Sequence, residues 1–96
     1  MSDVIVRRAA RADVRDAALW YESQRPGLGS ELTLQFDALV ERIAQNPFQF
    51  PEMESGIRHA LLRRFPYAVY FLVRAWPVVI AVLHQHRRPD AWKERL

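Results

Sequence analysis

The side chains capable of chemistry gather in the second half of the chain. His84 and His86 are one residue apart, Arg63-Arg64 and Arg87-Arg88 are adjacent pairs, and Arg58 and Trp92 flank them. In an extended segment alternate positions point to one face, so the two imidazoles can serve a common site. Imidazole titrates near the working pH, and the planar forks of arginine clamp phosphate. Cleavage of RNA by its own 2′-hydroxyl needs such a set: a base for that proton, an acid for the leaving oxygen, and cations for the charge developing on phosphorus. The alternative is that His84 and His86 are rim residues that touch a partner. Histidine pairs arise easily without catalytic duty, so contact is the expected role. Zinc requires three or four protein ligands. No third ligand is marked near His84-Gln85-His86, so no metal is expected, and His59 is read as structural. Pro26-Gly27-Leu28-Gly29 follows a helix rather than a strand, which excludes a phosphate loop. No Ser-His-Asp order is evident, and no cofactor is expected.

Charge supports an anionic partner. The net charge is +3, but residues 1–48 hold six Arg and seven acids, whereas residues 49–96 hold eight basic residues and four acids. Between Ile57 and Pro89 there are six Arg, three His and no Asp or Glu. A run of that kind attracts anions. Of the 14 basic residues 13 are Arg, and Ala occurs 12 times, as a GC-rich genome would produce. That accounts for Arg over Lys but not for the missing acids.

The elements that must position these residues follow from periodicity. With 96 residues the chain is read as one domain, 1–96. Val4 to Val6 form a short strand. Val14, Ala17 and Tyr21 recur at helical spacing from Ala9 onward, until Pro26 and Gly27 stop the helix. Ser30 is the expected N-cap of a second helix, whose stripe of Leu32, Phe36, Leu39, Val40 and Ile43 ends at Asn46-Pro47. The two form an antiparallel αα-hairpin. Phe48 and Phe50 are expected to tuck under the sheet. Three strands follow, over 57–64, 67–74 and 78–83, separated by short turns, and they predict an antiparallel meander. A short helix closes the chain from Asp90 to Leu96. The fold class is α+β, with the first strand expected antiparallel to the second and fourth. Cysteine is absent, which excludes disulfides. No apolar run is long enough to span a membrane, and a cytoplasmic location is expected.

Both faces of the third and fourth strands are apolar. Strict alternation puts Tyr67, Val69, Phe71 and Val73 opposite Ala68, Tyr70 and Leu72, and Val78, Ile80 and Val82 opposite Val79, Ala81 and Leu83. Strands of that kind need cover on both sides, and the chain has one helical hairpin. A partner polypeptide is the expected cover of the second face, the alternative being the chain's own Phe48 to Glu54 segment and C-terminal helix folding across it.

These residues, taken in order, resemble a known family. Trp20-Tyr21-Glu22, Pro26-Gly27-Leu28-Gly29, Asn46-Pro47 with Phe50-Pro51, Arg58, Arg64-Phe65-Pro66-Tyr67 with Tyr70, and Val82-Leu83-His84 leading to Arg87-Arg88 and Trp92 look like the RelE/ParE superfamily of type II toxin–antitoxin toxins. The resemblance runs from about Arg8 to Trp92. It implies a small sheet faced by a helical hairpin, and a small, partly disordered, acidic antitoxin that wraps the toxin and makes most of any DNA contact. ParE-like members block DNA gyrase by binding, whereas RelE-like members cleave mRNA on the ribosome. The latter resemble a pattern with a basic residue before the Val-Tyr of the third strand and a Tyr after the fourth. This chain has Pro66-Tyr67-Ala68-Val69-Tyr70 and no such Tyr, so the resemblance implies a ParE-like growth inhibitor of the plasmid-stabilisation type. Its implied target surface is Arg58, Arg63, Arg64, His84, His86, Arg87, Arg88 and Trp92. Its implied antitoxin surface is Tyr70, Leu72, Val79, Ala81 and Leu83. In the RelE-like alternative, His84, His86, Arg87 and Arg64 would be catalytic.

Overall fold

The computed structural model describes residues 3–96. In chain order the elements are β1 (Ile5–Val6), α1 (Arg8–Gln24), α2 (Leu28–Gln45), a 3-10 turn over Pro47–Gln49, β2 (Arg58–Leu61), β3 (Tyr67–Val73), β4 (Pro77–His84) and a 3-10 turn over Ala91–Arg95. The sheet order is β1-β4-β3-β2. The expected αα-hairpin and antiparallel meander are both present, and the α+β class holds.

The two helices meet where the chain reverses at Pro26-Gly27. Gly27 adopts φ 90°, a left-handed conformation that glycine enters without steric cost. Because Gly27 caps it, α2 begins at Leu28, ahead of the expected Ser30. Gly29 is already inside the helix, and a Cβ there would lie 2.4 Å from the Ala18 carbonyl oxygen. The hairpin closes that tightly only because the side chain is a hydrogen. The Glu22 carboxylate seals the reversal, accepting from the Gly27 N–H at 2.9 Å and the Gly29 N–H at 3.0 Å. These bonds favour the ionised form and hold the carboxyl below its ordinary range.

β1 runs parallel to β4, pairing Ile5 with Val78 and Val6 with Val79. The expectation of an antiparallel first strand is thereby corrected. The cause lies between α2 and β2. Residues 51–53 run antiparallel to the start of β2, with the Met53 N–H on the Ile57 carbonyl and the His59 N–H on the Pro51 carbonyl. This reversal inserts one more traverse, so β2 and β4 both run in the direction of β1. The same segment buries Phe50 but leaves Phe48 64% exposed, under the Arg58 guanidinium. β2 is also shorter than expected, because Arg63 and Arg64 enter a turn in which Arg64 takes φ 68°.

Two cores lie on the two sides of the sheet. On the helical side, Ala10, Val14 and Ala17 of α1 and Leu32, Phe36, Leu39 and Ile43 of α2 pack on Ala60, Val69, Phe71, Val79 and Val82. On the rear, Ile57, Leu72, Val78, Ile80, Ala81 and Leu83 surround Ala91 and Trp92. The split departs from strict alternation in β4. The register with β3 slips between Tyr70 and Phe71, from Ala81 to Val79, leaving Ile80 as an extra residue. A β-bulge of this kind turns consecutive residues to one face. Ile80 and Ala81 both face the rear, and Val79 and Val82 both face the helices.

The rear face is covered by the chain itself. Trp92 is 1% exposed and Ala91 is buried beside it. The expected need for an outside polypeptide at this face is therefore corrected, because the C-terminal turn folds back over it. Trp92, Tyr70 and His59 form a layer of near-parallel rings, with centroids 6.4 and 6.3 Å apart.

Candidate functional site

Arg63, Arg64, His84, His86, Arg87 and Arg88 share one end of the sheet, because Tyr67 opens β3 opposite His84, the last residue of β4. The Gln85 N–H donates to the Pro66 carbonyl at 2.8 Å and ties the two loops together. Topology thus joins two arginine pairs that are more than 20 positions apart in sequence.

The arginines at this end are not equivalent. Arg64 pairs with Glu31 of α2, and Arg88 pairs with Glu94 and lies 3.7 Å from Asp90. The acid-free stretch therefore borrows its counter-ions from the helices and the C-terminus. Arg63, Arg87, His84 and His86 have no ion-pair partner among the described residues. Two expected members lie elsewhere. Arg58 opens β2 and points into the 50–52 segment, donating to the Phe50 carbonyl at 2.7 Å and lying 3.5 Å from Glu52. Its work is structural. Trp92 is sealed in the rear core, and its ring is not available to a target in this conformation.

His84 and His86 are neighbours, with ring centroids 4.9 Å apart. The His86 backbone N–H donates to His84 Nδ1 at 3.0 Å. The Tyr67 ring stands edge-on to His84 at 5.2 Å, and burial pushes the Tyr67 hydroxyl pKa up, with Tyr21 and Asp13 adding to the shift. A cleft of about 220 Å³ beside them is lined by Asp13, Asp16, Tyr67, Val82, Leu83, His84 and Arg87. Its carboxylates, Asp13 and Asp16, oppose an incoming phosphate. The arrangement favours contact over proton abstraction.

Asp13, in the lining of this cleft, ties it to the far end of the chain. Asp13 of α1 accepts from both terminal nitrogens of Arg95 at 2.8 Å and from the Val82 N–H at 2.9 Å. Arg95 donates a further bond to the Ile80 carbonyl at 3.2 Å, and the Asp13 bond keeps its pKa above the ordinary arginine range. Because β1 covers only two residues of β4, the edge of β4 beyond Val79 lacks a strand partner. Asp13 and Arg95 supply those hydrogen bonds instead, and they clamp the C-terminal turn onto the sheet. The signal was present in α1, where residues 10, 13, 14 and 17 trace one helical face and Asp13 is the only polar member.

The expected antitoxin surface does not stand open. Leu72, Val79, Ala81 and Leu83 are buried by the chain, and Tyr70 is half-buried, its hydroxyl pKa raised by burial. Val79 moreover faces the helices, as a consequence of the bulge. An open apolar surface exists instead on the outside of the hairpin. A groove of about 700 Å³ runs between α1 and α2, lined by Val14, Ala18, Leu19, Thr33 and Leu34 with the charged side chains of Arg11, Arg15 and Glu22. Leu19 and Leu34 are 64% and 68% exposed. Neither belongs to a core stripe, and that was their signal in the sequence.

The described residues contain no cluster suited to a metal ion and no helix long and apolar enough to cross a membrane. No family model matches the sequence, and no curated protein matches it. Among solved structures, a chain of the chromosomal ParDE TA system from P. aeruginosa superposes with a TM-score of 0.77 at 20% identity, over 88% of this chain and 96% of that one. This chain therefore shares its fold, over most of its length, with a component of a ParDE system.

Proposed function

We propose that this chain is the toxin of a type II toxin–antitoxin pair, that it inhibits DNA gyrase by binding, and that an antitoxin neutralises it. The observation that carries the reading is the near-complete overlap of both chains with the ParDE component. Supporting it, Arg63 and Arg87, neither with an ion-pair partner among the described residues, form a contact surface at one end of the sheet with His84 and His86 beside them. The antitoxin is an acidic polypeptide whose amphipathic helix occupies the groove between α1 and α2. Leu19 and Leu34 meet its apolar side, while Arg11 and Arg15 pair with its carboxylates.

The discriminating experiment pairs two assays on purified protein. Gyrase supercoiling should be inhibited, and ribosomes programmed with a defined mRNA should show no cleavage in the A site. Cleavage without gyrase inhibition would replace this reading with the ribonuclease one. Arg63→Glu with Arg87→Glu should relieve growth inhibition and leave antitoxin binding intact. Leu19→Glu with Leu34→Glu should do the reverse, since both leucines are exposed and the fold does not rely on them.

A further inference from the structure

Arg87 stands beside acids that it does not pair with. It lines one small cleft together with Asp13 and Asp16, yet it forms an ion pair with neither, nor with any other acid among the described residues. Both carboxylates are engaged elsewhere. Asp16 lies 3.6 Å from Arg15 with both side chains exposed, a pairing that contributes little. Asp13 is held far more firmly. Its Oδ1 accepts from Arg95 Nη2 and its Oδ2 from Arg95 Nη1, both at 2.8 Å, and Oδ2 also takes the Val82 N–H. Both oxygens are thereby turned to the edge of β4, and a two-pronged guanidinium matches the negative charge.

Arg95 reaches Asp13 because of what precedes it. In a 3-10 turn side chains three residues apart point the same way, and Trp92, three residues earlier in the turn over Ala91–Arg95, is buried in the rear core. Once Trp92 is seated, Arg95 also faces the sheet, where it bonds the Ile80 carbonyl as well as Asp13. Arg7 fixes the backbone there by donating to the Arg95 carbonyl at 3.1 Å. Glu94, the neighbouring acid, is taken by Arg88 and does not compete for Arg95. The Arg95 and Asp13 side chains are 27% and 15% exposed, so solvent ions screen this pair less than the open Arg15–Asp16 pair.

We infer that Arg95 is a positioning residue for the Arg87 end: by occupying both oxygens of Asp13 it keeps that carboxylate off Arg87 and leaves the end open to an anionic group of the target. This role rests on the reading of that end as a contact surface. Without Arg95, Asp13 retains only the Val82 N–H, and its uncompensated charge lies in the cleft. There it attracts Arg87 and repels an incoming anion, so the end neutralises itself. A guanidinium that touches no ligand thus sets how strongly this end attracts anions.

The test titrates inorganic pyrophosphate against the full chain and follows the Arg87 Nε–H and His84 ring resonances. The unaltered chain should respond at both side chains by millimolar concentration, and Arg87→Gln should remove the response. Arg95→Gln should weaken binding about threefold, the scale of one exposed charge pair, and Arg95→Lys should recover most of the loss. Asp13→Asn combined with Arg95→Gln separates positioning from support. Its amide oxygen can still accept the Val82 N–H, but no carboxylate is left to release, so binding should return to that of the unaltered chain although the clamp is gone. Should Arg95→Gln unfold, Asp13→Asn alone should bind pyrophosphate at least as tightly as the unaltered chain, whereas a purely structural clamp would make it bind more weakly. The inference is overturned if the unaltered chain gives no response at Arg87, if Arg95→Gln binds equally well, or if the double variant stays as weak as Arg95→Gln. No target protein enters these titrations, so their failure sinks the role of Arg95 alone, and a negative supercoiling assay sinks the gyrase reading alone.

Discussion

Glu22 shows how one side chain closes a turn. Its two oxygens accept the Gly27 and Gly29 N–H groups, donors that the first turn of α2 leaves without helical partners. A carboxyl whose pKa is lowered by folding stabilises the folded state above its unfolded pKa, and the benefit fades as pH falls through the folded value. Glu22→Gln should therefore lower Tm at neutral pH, and the gap to the unaltered chain should close as pH is taken below the ordinary carboxyl value of 4.5. A gap independent of pH in thermal melts would refute the charge-based account. Gly29 makes the complementary point. A methyl group 2.4 Å from the Ala18 carbonyl oxygen meets backbone, which cannot rotate away. Gly29→Ala should cost about 1–3 kcal/mol in denaturant unfolding, as overpacking does, although alanine is the better helix former.

At the scale of elements, the C-terminal turn is held by one aromatic plug and one ion-pair clamp. Trp92→Ala should destabilise by about 3–5 kcal/mol, the usual cost of emptying an aromatic site in a core, and should open the rear face to hydrophobic dyes. Trp92→Phe should be milder, because Trp92 Nε1 is buried without a hydrogen-bond partner and its loss removes an unsatisfied donor. The Asp13–Arg95 clamp spans 82 residues and joins α1, β4 and the C-terminal turn. Asp13→Ala leaves the Val82 N–H and the Arg95 guanidinium unpaired, and about 1.5–3 kcal/mol should be lost. Amide exchange should rise first at Val82 and along residues 91–95. If exchange rises uniformly across the sheet instead, Asp13 supports the fold generally rather than the β4 edge.

For the whole molecule, the two sides of the sheet are asymmetrically served. The helical side is filled by the hairpin, and the rear by the chain's own terminus. What remains open is the outside of the hairpin and the end bearing Arg63, Arg87, His84 and His86. The proposed pairing with an antitoxin therefore draws on the outer helical surface. A complex should protect Leu19 and Leu34 on binding and, in a chain carrying Trp20→Phe and Trp76→Phe, leave Trp92 fluorescence nearly unchanged, since that ring is already enclosed. A large change in Trp92 emission would show the C-terminal turn being displaced.

Periodicity alone determined the hairpin, the meander and the class of fold, because apolar stripes at helical and strand spacing have few ways to be buried. The stripe Leu32, Phe36, Leu39, Ile43 could sit only against a sheet, and the turn residues left the helices antiparallel. Three matters belonged to tertiary structure. The bulge at Ile80 reset which face each β4 residue occupies, since a slip of one residue is invisible in a run that is apolar throughout. The reversal at residues 51–53 set the direction of β1 through hydrogen bonds that composition does not encode. Finally, the counter-ions of Arg58, Arg64 and Arg88 and the partner of Asp13 lie outside the acid-free stretch or across the chain. A charge can be read from sequence, but its neutralisation depends on distance in space.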